Sequence, residues 1–97
     1  MDKHLRLNML YDYYKDLFTD KQKLYFEEYY YSNLSLSEIA ENYDVSRNAV
    51  YHQLKIVEDR LEEFESILGL KEKKDKVIEL LTNNVDKNIL EKVEELL

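Results

Sequence analysis

The sequence has no cysteine, no proline and a single glycine, Gly69. Without cysteine, disulfide bridges and thiolate metal sites are excluded, which fits a reducing compartment, and we expect a cytoplasmic protein. Proline and glycine are the residues that most often end helices and form turns, so their scarcity predicts an all-helical chain. A single glycine also excludes the glycine-rich loops that bind nucleotide phosphates.

Long apolar runs are also absent. No stretch is apolar enough to cross a bilayer, and the N-terminus lacks the apolar core of a signal peptide, so we expect no membrane partner. The chain has 97 residues, of which 44% are hydrophobic and 12% aromatic. That length supports one folded unit with a core, and that composition is not typical of disorder.

The charge is unevenly distributed. The whole chain carries 14 basic and 21 acidic residues, a net charge of −7, which argues against strong non-specific binding of nucleic acid. Residues 45–57 are different, because they contain Arg47 and Lys55 and no acid. Residues 1–44 hold five basic and nine acidic residues, and residues 58–97 hold seven and twelve. We therefore expect modest affinity for DNA, or a dimer that doubles the contacts.

Residues 35–55 follow the pattern of two helices joined by a tight turn. Ser35 and Glu38 have the spacing of a capping box at the start of the first helix. The small Ala40 allows two helices to cross closely, and Ser46 is a second predicted N-cap. This is the helix-turn-helix plan, in which the second helix can enter the major groove of DNA.

The second helix of this motif has an apolar side and a polar side. Val50, Leu54 and Val57 are predicted to face inward. Arginine and asparagine can bond guanine and adenine edges, lysine can bond a phosphate, and a helix N-terminus can bind another phosphate. The alternative is a helical hairpin whose polar side is only solvated. The predicted DNA-binding residues are Ser46, Arg47, Asn48, Tyr51, His52 and Lys55.

Two helices are predicted before the motif. Residues 1–3 are expected to fray, and a first helix has an apolar stripe that includes Leu17. A second helix begins after Thr19, which forms a capping box with Gln22. The nine tyrosines are interpreted as an aromatic core with hydroxyls at its rim, except Tyr51. The alternative, a stacking platform for single-stranded nucleic acid, would need basic neighbours.

A heptad pattern continues the recognition helix to about residue 68. The seam can be an internal spine for the other helices or a dimer seam, and Gly69 is predicted to form the left-handed cap at its end. The positions that make up the seam are Val50, Leu54, Val57, Leu61, Phe64 and Leu68.

Two short amphipathic helices are predicted after Gly69. Residues 71–76 are a mixed charge run, interpreted as a solvated first turn. The last helix is expected to begin after Asn84 or Asp86. Such short helices need a partner surface, which can be the long helix, each other or another chain. We therefore predict a helix-turn-helix domain at 1–68 and a helical extension at 69–97. The given sequence stops within an apolar pattern, which is expected of a truncated chain or of a C-terminus that forms a dimer contact.

No catalytic site is predicted. His4 and His52 do not have metal-ligand spacing, and no cofactor motif is present. Ser46 and His52 could be drawn into a triad, but capping accounts for Ser46, and six residues along a helix do not place His52 beside it. The chain is therefore expected not to be an enzyme and to need no cofactor.

Four separated blocks resemble the YlxM family of small bacterial proteins, which is similar to region 4 of sigma factors. The blocks are Leu5–Tyr14, Leu17–Lys23, Ser35–Ala40 and Val45–Tyr51. Two positions depart from the pattern. Asp44 replaces the turn glycine of many helix-turn-helix proteins, and Ile56 follows Lys55 where a second basic residue is expected.

The resemblance implies a DNA-binding regulator connected by gene neighbourhood with the signal recognition particle pathway. The first hypothesis is therefore a regulator that binds double-stranded DNA. The second is a protein-interaction module whose partner is the signal recognition particle protein, its receptor or RNA polymerase. RNA binding is a third alternative, and a homodimer is compatible with each of them.

Overall fold

The computed structural model describes residues 2–97, and helices make up most of that part of the chain. No strand occurs among these residues, and none of their helices is long and apolar enough to span a bilayer. The all-α prediction is confirmed. A 3-10 turn, Lys15–Leu17, joins the first two helices. The six α-helices are α1 (Lys3–Tyr14), α2 (Asp20–Tyr30), α3 (Leu36–Tyr43), α4 (Arg47–Leu68), α5 (Leu70–Thr82) and α6 (Lys87–Leu96).

The predicted N-caps are present, and of the two alternatives for the last helix Asp86 is the cap rather than Asn84. A side-chain oxygen in each accepts a hydrogen bond from a backbone N–H in the first turn, which the helix itself leaves without a partner. The prediction that residues 1–3 fray is wrong for Lys3, which is the first residue of α1. Residue 1 lies outside the described residues. The caps are Thr19 with Gln22 before α2, Ser35 with Glu38 before α3, Ser46 before α4 and Asp86 before α6.

The long helix α4 is the centre of the core, because α1, α2 and α3 all pack against it. Val50, Leu54, Val57 and Leu61 are at most 3% exposed, so this part of the heptad seam is an internal spine and cannot also be a dimer seam. Burying one such side chain is worth about 1.5–3 kcal/mol. The seam weakens beyond Leu61, because Phe64 is only half-buried and Leu68 is exposed.

The predicted stripe of α1 is wrong at its last position. Leu17 is 59% exposed, whereas Tyr11 and Tyr14 are each 1% exposed. The α-helix ends at Tyr14, and the 3-10 turn that follows it changes the rotation per residue, so Leu17 no longer falls on the buried side. Phe18 enters the core instead, at 8% exposure.

The tyrosines form the aromatic core that the sequence predicts, with Tyr31 as an additional exposed exception. Four hydroxyls reach carboxylates at the rim of the core, so their desolvation is compensated by strong hydrogen bonds. The hydroxyl-to-carboxylate distances are 2.7 Å for Tyr11 with Glu27, 2.7 Å for Tyr14 with Glu65, 2.8 Å for Tyr30 with Glu58 and 2.8 Å for Tyr43 with Glu28.

The junction between α4 and α5 has no loop. Gly69 adopts the predicted left-handed conformation (φ 59°), and α5 begins at the next residue. The first backbone N–H groups of α5 donate to side chains of α1 and α4. Leu70 donates to the Tyr14 hydroxyl (3.1 Å), and the next two residues donate to the Glu65 carboxylate (3.1 and 3.0 Å). Tyr14 and Glu65 therefore fasten α5 to α1 and α4.

One residue of the charge run contradicts the solvated interpretation. Lys71 is only 8% exposed, and its ammonium lies 2.6 Å from the Asp75 carboxylate. It is buried because α5 packs against α1 and α4 along this side. The other charged residues of the run are exposed or half-buried, as predicted.

The last helix packs mainly on α5 and buries none of its residues fully. Leu96 is 87% exposed and Ile89 47% exposed. The described chain is elongated, with extents of 53 × 25 × 23 Å. The division into residues 1–68 and 69–97 stays a prediction.

Candidate nucleic-acid interface

The turn between α3 and α4 positions the start of the recognition helix. Asp44 adopts the left-handed conformation (φ 52°, ψ 50°) expected of the residue that replaces the turn glycine. The Val45 N–H then returns to the Ala40 carbonyl (3.0 Å), which closes a Schellman motif. Ser46 caps α4 by accepting from the Ala49 N–H at 3.0 Å.

The predicted crossing of the two helices is present. Ile39 and Ala40 of α3 are 0% and 6% exposed, and Val50 and Leu54 of α4 are 0% and 3% exposed. Val45 packs against this cluster from the turn. Because these apolar side chains are buried between the helices, the polar side of α4 is turned away from the core.

The candidate interface consists of the first two and a half turns of α4, roughly, and the cap before them, and we call it the recognition face. All six predicted residues are exposed there: Ser46, Arg47, Asn48, Tyr51, His52 and Lys55. The five helical members follow the spacing that keeps side chains on one side of a helix. From Arg47 to Lys55 they extend about 12 Å along the helix axis.

Two of these side chains form an aromatic pair. The Tyr51 and His52 rings lie 5.7 Å apart at an angle of 67°, an edge-to-face arrangement, and Tyr51 is 48% exposed. A tyrosine and an imidazole at this position can donate hydrogen bonds to phosphates or base edges.

The cations of the recognition face differ in their surroundings. Arg47 forms no ion pair with any other residue from 2 to 97. The Lys55 ammonium, in contrast, lies 3.3 Å from the Asp59 carboxylate one turn further along, and this contact raises the pKa of Lys55. Residues 45–57 contain no acid in the sequence, but the helix places Asp59 one turn from Lys55. The positive charge of this segment is therefore partly compensated.

A cleft of about 240 Å³ adjoins the recognition face, and sequence reasoning did not place Lys3 or Tyr29 in it. Lys3 comes from α1 and Tyr29 from α2, so only the packed fold brings them beside Tyr51 and Lys55. The Lys3 ammonium lies 3.8 Å from the Glu58 carboxylate, so its charge is partly compensated.

No group of three histidine, aspartate or glutamate side chains within residues 2–97 is arranged to hold a metal ion. The Ser46 hydroxyl oxygen has the capping role that the sequence predicts, because it accepts from the Ala49 N–H. What the recognition face offers chemically is a set of hydrogen-bond donors and acceptors with two cations.

Comparisons with known proteins agree with this geometry. The sequence model of the UPF0122 family, described as "Putative helix-turn-helix protein, YlxM / p13 like", matches residues 1–97. A UPF0122 protein of Halalkalibacterium halodurans is 47% identical over 90 residues, which cover 90% of this chain and 83% of the relative. UPF0122 proteins of Shouchella clausii and Bacillus thuringiensis are 52% and 49% identical over 73 residues, which cover 75% of this chain and 67% and 66% of those relatives.

Proposed function

The chain belongs to the UPF0122 family of YlxM/p13-like helix-turn-helix proteins, and from this premise we propose that it binds double-stranded DNA through the recognition face. The observation that supports the proposal is the exposure of all six predicted residues at the start of α4, beside a fully buried helix crossing. In helix-turn-helix proteins, the N-terminal residues of the recognition helix contact base edges.

Each side chain of the recognition face has a proposed role. Arg47 and Asn48 stand in the first turn and would bond guanine and adenine edges. Lys55 and the capped N-terminus of α4 at Ser46 would contact phosphates. Tyr51 and His52 lie between the first turn and Lys55 and would contact the DNA backbone or a base edge.

The physiological role that we propose is transcription regulation in the cytoplasm, with a part in the signal recognition particle pathway. The net charge of −7 limits non-specific attraction to DNA, so the protein is proposed to act as a homodimer that presents two recognition faces. Molar mass from light scattering, with and without DNA, tests the dimer. A monomer in both conditions would contradict it.

The test of DNA binding uses Arg47→Ala and Lys55→Ala on duplex fragments selected from genomic DNA. A lost base contact costs about 1–3 kcal/mol, so Arg47→Ala should weaken binding about 5- to 150-fold. Lys55→Ala should weaken all sequences similarly and lower the salt slope by about one. Circular dichroism should show unchanged helicity for both variants.

The matched control is Arg60→Ala on the same helix, because Arg60 is exposed and paired with Glu63 at 3.3 Å. It should leave DNA binding nearly unchanged. Binding that is the same for the wild type, Arg47→Ala and Lys55→Ala would contradict the proposed function.

A second candidate function is a protein-interaction module, and the exposed apolar side chains of α6 favour it. Ile89 and Leu96 face solvent on a helix of ten residues that buries none of its side chains fully. The partner would be the signal recognition particle protein, its receptor or RNA polymerase.

A pull-down from nuclease-treated lysate, with wild-type protein and Ile89→Glu/Leu96→Glu as baits, separates the two functions. Recovery of one of those partners by the wild type alone would support the protein-interaction module. Loss of every partner on nuclease treatment would favour DNA binding.

A further inference from the structure

Acidic residues follow the recognition face on α4, and one of them is placed to act on it. The Asp59 carboxylate lies 3.3 Å from the Lys55 ammonium, and the two side chains are 64% and 52% exposed. Glu58 is different, since its side chain is only 18% exposed and accepts a hydrogen bond from the Tyr30 hydroxyl at 2.8 Å. Asp59 is thus the acid that is both in solvent and in contact with a residue of the recognition face.

We propose that Asp59 competes with DNA phosphate for Lys55 and thereby lowers the affinity of this protein for DNA. The inference rests on the proposed function, and in it Asp59 acts on DNA binding through Lys55 rather than by contact with DNA. A carboxylate oxygen and a phosphate oxygen both accept hydrogen bonds from an ammonium group, so a phosphate that takes the N–H directed at Asp59 displaces that carboxylate, and one that binds beside it meets a charge that Asp59 already compensates. Asp59 would also repel the DNA backbone once displaced.

The Lys55–Asp59 pair contributes only weakly to helix stability. In pairs four residues apart, the acid stabilises a helix best when it precedes the base, and here the order is reversed. Exposed pairs of this kind contribute about 0.2–1 kcal/mol. Asp59 can therefore be changed with little effect on folding, which makes a clean binding experiment feasible.

The pair also sets the length of the contact. Beyond Asp59, α4 carries Glu62 and Glu63 on its exposed side. Glu62 is paired with Arg6 at 2.8 Å and Glu63 with Arg60 at 3.3 Å. Because the cations of this part of α4 are already paired with carboxylates, productive contact should centre on residues 47–55. Lys55 stands at the boundary between the two regions, and Asp59 determines how much Lys55 contributes to DNA binding.

The experiment is a double-mutant cycle with Asp59→Asn, Lys55→Ala and the two combined. Binding of a labelled duplex of random sequence, about 30 base pairs long, is measured by fluorescence anisotropy at about 50 and 200 mM salt. Asp59→Asn should tighten binding about 1.4- to five-fold in the wild-type background, from the free energy of an exposed pair. In the Lys55→Ala background the same change should have little effect.

Two controls separate this mechanism from others. Glu72→Gln removes one negative charge from a similar exposed pair, with Lys76 at 3.0 Å, and should not alter DNA binding. The Glu72 backbone N–H donates to the Glu65 carboxylate at 3.0 Å. Glu65 lies ten residues, about 15 Å along α4, from Lys55, which exceeds the Debye length of about 8 Å at 0.15 M salt. Asp59→Glu keeps the charge and should bind like the wild type. Thermal unfolding should change little in all of these variants, because an exposed pair contributes little to stability.

The outcomes distinguish this inference from the proposed function. Equal tightening by Asp59→Asn in both backgrounds, or equal tightening by Glu72→Gln, would overturn the competition for Lys55. Wild-type binding that does not respond to Asp59→Asn would also overturn it, while the DNA-binding function would stand. Absence of binding by the wild type and every variant would remove both.

Discussion

Single residues determine where the helices of this protein begin, end and cross. Asp44 and Gly69 both adopt positive φ, at 52° and 59°, and each ends a helix. Glycine adopts this conformation without a steric penalty, and aspartate tolerates it better than most residues. The turn of the helix-turn-helix therefore forms without glycine, at some cost in stability.

That cost can be measured at Asp44. Replacing Asp44 with glycine removes the strain and should change the free energy of unfolding little, because the lost strain is offset by greater freedom of the unfolded chain. Replacing it with valine should destabilise the protein by about 1–2 kcal/mol, since a β-branched side chain is disfavoured at positive φ. Urea unfolding of the two variants tests this, and equal stability of wild type and Asp44→Val would contradict it.

The Tyr14 hydroxyl is a single group that contributes strongly to the free energy of unfolding. It donates to Glu65 at 2.7 Å and accepts from the Leu70 N–H at 3.1 Å. Tyr14→Phe removes both bonds and should cost about 1–2 kcal/mol of unfolding free energy. Hydrogen exchange should also become faster in the first turn of α5.

Tyr25→Phe is the matched control, because the Tyr25 hydroxyl is buried and has no hydrogen-bond partner among residues 2–97. Removing it should be neutral or stabilising, since a buried polar group without a partner is unfavourable. Equal loss of stability in both variants would contradict the conclusion that the hydrogen bonds of the Tyr14 hydroxyl fasten α5 to α1 and α4.

At the scale of the helices, the tyrosine hydroxyls join elements to one another. Tyr11 connects α1 to α2, Tyr14 connects α1 to α4, and Tyr30 connects α2 to α4. Burial is the main cause that raises the pKa of each of these hydroxyls, and the carboxylate that accepts each hydrogen bond raises it further. The contacts between helices therefore depend on the protonated form of these side chains.

Stability should consequently fall at alkaline pH. The unfolded chain loses the tyrosine protons near pH 10, whereas the folded chain retains them to higher pH. The stabilisation is fully present below about pH 10 and is lost progressively above it, as the unfolded state releases protons. Urea unfolding between about pH 7 and 11, followed by circular dichroism, should show this decline. Tyr11→Phe should make it shallower, and an identical profile for that variant would argue against the explanation.

At the scale of the whole molecule, the chain has a core around α4 and a hairpin of α5 and α6 beside it. Helix α5 is fastened by Glu65 and Tyr14 and buries Lys71, whereas α6 contacts mainly α5. The stabilisation that the two helices supply should therefore differ.

Truncation tests this difference. Ending the chain after residue 84 removes α6, which buries none of its residues fully, and should lower stability by no more than about 2 kcal/mol. Ending it after Gly69 also removes α5, leaves Tyr14 and Glu65 with fewer partners and should cost clearly more. Thermal unfolding of the two truncated chains gives the comparison, and equal losses would contradict the unequal attachment of α5 and α6.

The sequence by itself determined the six α-helices of this protein, though not the 3-10 turn between the first two. Capping residues such as Ser35 and Ser46, the spacing of Val50, Leu54 and Val57, and the single glycine at the end of α4 act over one or two turns, so local pattern is sufficient to predict them. The polar side of α4 follows from the same spacing, because whatever lies opposite a buried stripe faces solvent.

Only the tertiary structure decided what each surface meets. The seam of α4 became an internal spine because α1, α2 and α3 converge on it, and Lys71 became buried because α5 docks beside Tyr14. Leu17 left the core when the 3-10 turn changed the register of the chain. Such outcomes depend on contacts between residues far apart in the chain, whose energies no local pattern contains, and the same packing brought Lys3 and Tyr29 to the cleft beside the recognition face.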